Sequence, residues 1–285
     1  MKVGVQAFST DQGIGPIDLA REMEARGFGS LFLTEHTHIP VARATPTPGG
    51  GDLPGYYSRT WDPFVALGAI AAVTTTLLIG TGISLLGMRD ALITAKEVAT
   101  LDQLSNGRFI FGIGFGWNRD EAIDHPPAND QWPARYDVIR EKVELMRAVW
   151  SNDVADYHGQ YVSLEPSWVW PKPTTPHGPR IYVGGGGPKA MAQAAAWADV
   201  WYALPDSEDP TNAKRFAEFR SLVEGNGRDP GTVGLAIAAA PPDRALLASY
   251  KDQGVELVNF HLEPRPRDEM LTLLDNWAGL VREFQ

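Results

Sequence analysis

The alternation of short apolar runs with amphipathic segments, from one end of the chain to the other, most constrains the fold. Lys2–Ala7, Ser30–Thr34, Leu77–Gly82, Arg108–Ile113, Arg180–Val183, Val200–Ala203, Val233–Ala238 and Leu257–His261 are short and largely apolar, as strands buried on both faces are. Between them, apolar residues recur at helical spacing. These predicted helices are Ile17–Arg26, Pro63–Val73, a segment capped by Asp90 and running to Leu104, Ala134–Trp150, Lys189–Ala198, Pro210–Glu224, Asp243–Gln253 and Arg267–Phe284. Gly27 and the pair Asn106-Gly107 stand where helices have to stop. Eight such repeats in 285 residues give about 36 residues each, the size of one unit of a (β/α)8 TIM barrel. A doubly wound open sheet also alternates, but it marks its first turn with a dinucleotide fingerprint. Here the turn from Phe8 to Gly15 carries only Gly13 and Gly15. The expected fold is therefore α/β, a closed TIM barrel, as one domain over residues 1–285.

Composition narrows the partners. The formal net charge is −10 and there is no cysteine. Such a surface repels nucleic acid and anionic lipid, and disulfides, thiolate nucleophiles and cysteine metal ligands are excluded. The most apolar stretch, Ala66 to Gly87, is broken by Thr74, Thr75, Thr76 and four glycines, so it reads as a helix end and a buried strand rather than a membrane span. With a strand starting at Lys2 and no signal peptide before it, the expected location is the cytoplasm.

Two long loops interrupt the rhythm, Glu35–Arg59 and Gly114–Pro133, and Tyr157–Leu164 is a short excursion outside the repeat. Long loops inside a compact domain are usually functional. Active sites of TIM barrels lie at the carboxyl ends of the strands, so the residues just after each strand are the candidates. Strand two is followed by Glu35-His36-Thr37-His38, where His36 can act as base, hydrogen-bond donor or metal ligand, or can simply be solvated. Strand three ends in Gly82-Ile83, where glycine permits a close approach of backbone to ligand or to the barrel wall. Strand four leads through glycines to Trp117 and Asn118, which suit the face and edge of a flat ring or ordinary loop packing. Strand five runs into Gly184-Gly185-Gly186-Gly187-Pro188. Four glycines leave backbone N–H groups open, Pro188 suits the first helical position, and a helix N-terminus attracts an anion such as phosphate. His261, near Glu263 and Arg265, can line the same mouth. His36 and His38 have the spacing of a zinc site, but the ligands that later strands of a metal-dependent hydrolase would add are missing.

The runs from Pro63 to Thr74 and Ile79 to Ile83, the long stretch from Ala95 to Asn118, and Ile181–Gly186 with Ala198-Asp199 resemble the luciferase-like monooxygenase superfamily over most of the chain. The resemblance is weakest at Pro40–Tyr57 and beyond Ala203. It implies a barrel that holds coenzyme F420, or alternatively flavin mononucleotide (FMN). Glu35-His36 and Gly116-Trp117-Asn118 look most like the F420-dependent branch. The implied cofactor-binding residues are Glu35, His36, Gly82, Ile83, Trp117, Asn118 and Gly184 to Gly187, with His36 as the catalytic residue and no metal. A non-prolyl cis peptide, common in the family after strand three, maps onto Gly82-Ile83. The family's sugar-phosphate dehydrogenases have an acidic proton donor where this sequence has Trp117, so a different, small organic substrate is expected. A homodimer is implied, and a reductase partner if the cofactor is FMN. The alternatives are an FMN-dependent two-component monooxygenase and a non-catalytic flavin-binding protein. Trp168 and Trp170 receive no function and are placed as cover for the first long loop.

Overall fold

A computed structural model describes residues 1–48, 50–125 and 131–285. The two expected loops run across residue 49 and residues 126–130, and those parts of them lie outside the described residues. The strands are β1 (Lys2–Ala7), β2 (Ser30–Leu33), β3 (Leu78–Thr81), β4 (Phe109–Ile113), β5 (Val154–His158), β6 (Ser163–Trp168), β7 (Ile181–Gly184), β8 (Val200–Ala203), β9 (Gly234–Ala240) and β10 (Val255–Leu262). The helices are α1 (Pro16–Ala25), α2 (Pro63–Ala71), α3 (Ala91–Leu104), α4 (Arg119–Ala122), α5 (Arg135–Ser151), α6 (Pro188–Trp197), α7 (Ala213–Gly225), α8 (Arg244–Asp252) and α9 (Arg267–Phe284). Eight strands, all but β5 and β6, pair in parallel around a closed barrel. β1 meets β10 with Lys2 opposite Leu257 and Ala7 opposite Leu262. The expected TIM barrel is the observed fold.

Closure follows from alternation across the pleat. Phe32, Ile110, Tyr182, Val200, Tyr202, Ala236 and Leu257 pack together inside the barrel, while Val3, Val5, Leu31, Leu33, Ile79 and Phe111 join the larger core under the helices. Three polar side chains inside pair with one another. Ser30 Oγ donates to Asn259 Oδ1 at 2.6 Å, and Asn259 Nδ2 donates to the Tyr202 hydroxyl at 2.9 Å. Gly4 opposite them has to be glycine, because a Cβ there would lie 2.1 Å from the Ser30 carbonyl oxygen. Helix starts are fixed locally. Asp62, Asp90 and Asp243 accept from the backbone N–H three residues on, at 2.9, 2.8 and 2.9 Å, and each such cap is worth about 1 kcal/mol. Gly27 (φ 83°) and Asn106-Gly107 (φ 55° and 76°) end α1 and α3 as expected.

The excursion at Tyr157–Leu164 is wider than the sequence indicates. It is an antiparallel hairpin of β5 and β6 lying on α5. Only Ala155 of β5 is buried, so the hairpin lacks the apolar run that marks the barrel strands. Its turn is held instead by Glu141 of α5, which accepts from the N–H groups of Gln160, Tyr161 and Val162. Trp168 and Trp170 are exposed on this flank. The Trp170 carbonyl accepts from Lys96 of α3, which sets Trp170 beside that helix rather than over the first long loop. No described helix is long and apolar enough to cross a membrane.

Candidate active site at the barrel mouth

The β3 side of the mouth is the most tightly tied. The Gly82-Ile83 peptide is cis, where the family resemblance put it, and the Gln6 side-chain amide donates to the Gly82 carbonyl. The Ile83 side chain enters the barrel through two gaps in the wall. A Cβ on Gly114 would sit 2.5 Å from Ile83 Cδ1, and one on Gly184 would sit 2.6 Å from its Cγ2. After Ile83 the chain turns through Ser84 to Arg89. Glu35 is buried here and accepts from Ser84 Oγ at 2.9 Å, the Leu85 N–H at 2.6 Å and Arg89 Nε at 2.7 Å. Its carboxylate is therefore engaged by the β3 loop, and it shapes the site through that loop. Lys142 of α5 reaches the same segment and donates to the carbonyls of Leu86, Gly87 and Arg89 at 3.1, 3.2 and 2.7 Å. Burial pushes the Lys142 ammonium down to about 8.

The β2 and β4 sides bring together residues that are 85 positions apart. His36 Nδ1 lies 2.7 Å from Glu121 Oε2, with the two side chains 7% and 0% exposed. A carboxylate in this position accepts, so the proton sits on Nδ1 and Nε2 is left for other work. The second Glu121 oxygen accepts from the Thr37 N–H at 2.9 Å. The His36 ring packs against Tyr57 and Trp117, with centroids 5.3 and 5.9 Å away. Tyr57 comes from the 3₁₀ turn Gly55–Arg59, inside the first long loop. It continues through Tyr56 and Phe8 to His261, forming an aromatic rim across the mouth. Burial holds the His261 imidazole below its ordinary value, with Glu263 opposing the shift.

Asn118 stands at the start of α4 and is 1% exposed. Among the described residues, neither its Oδ1 nor its Nδ2 has a hydrogen-bond partner. Gln6 Oε1 and Ser9 Oγ, at the same end of the barrel, are likewise buried and unpartnered. His36 and His38 do not converge: His38 turns to Asp124, at 3.1 Å. No group of three or more potential metal-ligating side chains gathers among the described residues.

The third wall is the glycine turn. β7 ends at Gly184, Gly187 is the extended residue before α6, and Pro188 takes the first helical position. Gly185 has φ 140°, and a Cβ there would meet that of Ala190 at 2.7 Å. The Arg215 guanidinium flanks this turn. It donates to the Gly186 carbonyl and to the Leu204 carbonyl, the latter at 3.3 Å, lies 5.3 Å from the centroid of the Trp201 ring, and has Asp206 Oδ2 3.8 Å from its Nη1. Reading along the chain singles out neither Arg215 nor Glu121. Arg215 belongs to the first turn of α7, beyond the next strand, and Glu121 lies inside a loop with no periodicity. An acidic residue shortly after Trp117 was the available signal for Glu121.

Known proteins share this architecture. An uncharacterized protein of Mycobacterium tuberculosis, Rv0953c, is 38% identical over 284 residues, covering 98% of both chains. The monooxygenase RslO1 from Streptomyces bottropensis superposes with a TM-score of 0.77 at 18% identity, covering 99% of each chain. An F420-dependent secondary alcohol dehydrogenase, solved with an F420-acetone adduct, superposes with a TM-score of 0.73 at 18% identity, again over 99% of each. Residues 15–242 match the model of the luciferase-like monooxygenase family, and the chain, with its closed barrel and its cis peptide after β3, belongs to that family of oxidoreductases and monooxygenases.

Proposed function

We propose that the protein is an oxidoreductase that holds coenzyme F420 at the carboxyl end of its barrel and serves hydride transfer between that deazaflavin and a small organic substrate. The observation that carries this reading is the buried, unpartnered amide of Asn118, with Gln6 Oε1 and Ser9 Oγ at the same mouth. A buried polar group left unpaired costs about 1–3 kcal/mol, so such groups are kept where a ligand completes them. A flat ring with carbonyl and N–H groups at its edge suits an amide that can both donate and accept. Trp117 and the Gly82-Ile83 backbone would bound that ring. Gly184 to Gly187, the start of α6 and the Arg215 guanidinium would hold the cofactor phosphate.

When bound, the reduced cofactor supplies the hydride, and the protein supplies orientation and the proton. Glu121 keeps the Nδ1 proton of His36 in place. With Nδ1 so held, His36 would give the substrate its Nε2 proton when the ring carries both protons, and would accept a proton at Nε2 in the reverse direction. Glu35 and Lys142 fix the β3 loop, and the rim of Phe8, Tyr56, Tyr57 and Trp117 excludes water. A second reading, a two-component monooxygenase using reduced FMN, oxygen and a separate reductase, is favoured by that same aromatic rim, which would shield a reactive flavin.

Fluorescence titration of the purified protein with F420 and, separately, with FMN tests both readings. Selective, micromolar or tighter F420 binding is expected. Preference for FMN would move the protein to the second reading, and binding of neither would overturn both.

A further inference from the structure

Arg43 lies in the loop that follows β2, a chain segment rich in Pro, Gly and Thr that carries few other charges. One arm of its guanidinium, Nη2, donates to Thr47 Oγ1 at 2.7 Å. The other arm, Nη1, is buried and has no hydrogen-bond partner among the described residues. The guanidinium lies 5.1 Å from the centroid of the Trp117 ring, the same ring that packs against His36. Beside Arg43 opens a cleft of about 320 Å³, lined in nearly equal share by polar surface, with Arg43 and Ser58, and by apolar surface from Ile39, Pro40, Leu53 and Pro54.

These facts fit together in one way. The chain has 35 acidic residues against 25 basic ones, yet no described carboxylate forms an ion pair with this arginine. A guanidinium is planar, stacks on aromatic faces and presents its donors as a fork matched to a carboxylate. Thr47 steadies one arm and the Trp117 ring lies beside the guanidinium, so its place is fixed before any ligand arrives. A single guanidinium beside apolar walls suits a monocarboxylate with an apolar body better than a phosphate, which would draw on several cations.

We propose that the substrate is an apolar carboxylic acid whose carboxylate is bound by Arg43, with its body along the Ile39–Pro40 and Leu53–Pro54 walls. This rests on the oxidoreductase reading for the word substrate; the carboxylate site itself stands on Arg43 alone.

Calorimetric titration of the wild-type protein with benzoate, phenylacetate and octanoate, each against its neutral amide, tests the site without turnover. At least one acid is expected to bind about tenfold or more tightly than its amide, the margin of a charge-assisted hydrogen bond. Arg43→Gln should abolish that preference, and Arg43→Lys should restore part of it. Equal binding of every acid and its amide by the wild type, or a preference that survives in Arg43→Gln, would overturn the proposal. So would an Arg43→Gln variant that loses FMN or F420 affinity as steeply as acid affinity, since the arginine would then serve the cofactor. If neither cofactor binds but the acid preference depends on Arg43, the cofactor reading fails and the carboxylate site stands.

Discussion

On the β3 side of the mouth, Glu35 accepts three hydrogen bonds and Lys142 donates three, all to the segment Ser84–Arg89. Across the mouth, Asn118 keeps both atoms of its amide unpaired, and Arg43 keeps one arm of its guanidinium unpaired, among the described residues. Both regions are buried and both are polar, but one spends its hydrogen-bonding capacity within the protein and the other holds it in reserve. On the proposed function, the difference is that between scaffold and receptor. A buried polar group that is already paired contributes to folding and offers a ligand little, whereas an unpaired one costs stability until a ligand completes it.

That contrast can be broken by substitution. Glu35→Ala strips partners from Ser84, Leu85 and Arg89, and removing one member of a buried ion pair costs about 3–5 kcal/mol. Urea unfolding should show the loss, and a loss below about 1 kcal/mol would mean that the β3 side is no scaffold. His36→Ala is expected to lower turnover by about 100-fold or more while cofactor affinity holds. Unchanged turnover would remove His36 from the chemistry. Asn118→Leu sharpens the contrast most directly, because stability and binding should move in opposite directions. Unfolding free energy should stay level or rise by about 1 kcal/mol, while cofactor affinity falls about tenfold; a protein destabilised to the same extent as Glu35→Ala would place Asn118 with the scaffold.

The smallest effect is a slope. Burial depresses the His261 imidazole from its ordinary 6.5, so the unfolded chain takes up this proton more readily than the folded one. The contribution is fully present above pH 6.5 and is lost as pH falls through the lower folded value. His261→Phe should flatten the fall in melting temperature between pH 7.5 and 5.5 relative to wild type. An unaltered slope would show that His261 does not titrate against folding.

What could be read from the sequence was whatever the chain encodes locally. The barrel strands are apolar on both faces and so stand out as runs, and the caps at Asp90, Gly27 and Asn106-Gly107 act within a single turn. The hairpin of β5 and β6 is largely exposed, so no apolar pattern announces it. The same division holds in the site. His36, Gly82, Trp117, Asn118 and the four glycines directly follow strands and could be found by position. Glu121, Arg215 and Arg43 lie in a short helix, a later helix and a loop, and only folding brings them near the residues that follow the strands. Glu35 could be located but its partners could not, since they depend on how the β3 loop and α5 pack.

The gaps that admit Ile83 also bear on how such a barrel can diverge. One isoleucine packs against glycine on two other strands or their ends, at positions 114 and 184, so a larger residue at either glycine forces the isoleucine side chain to move. The three positions form an epistatic unit: a lineage that shortens residue 83 first opens both glycines to change, and one that has not done so meets the isoleucine at either glycine. Related barrels should therefore tend to differ at these sites in concert, and the packing around residue 83 is inherited as a block.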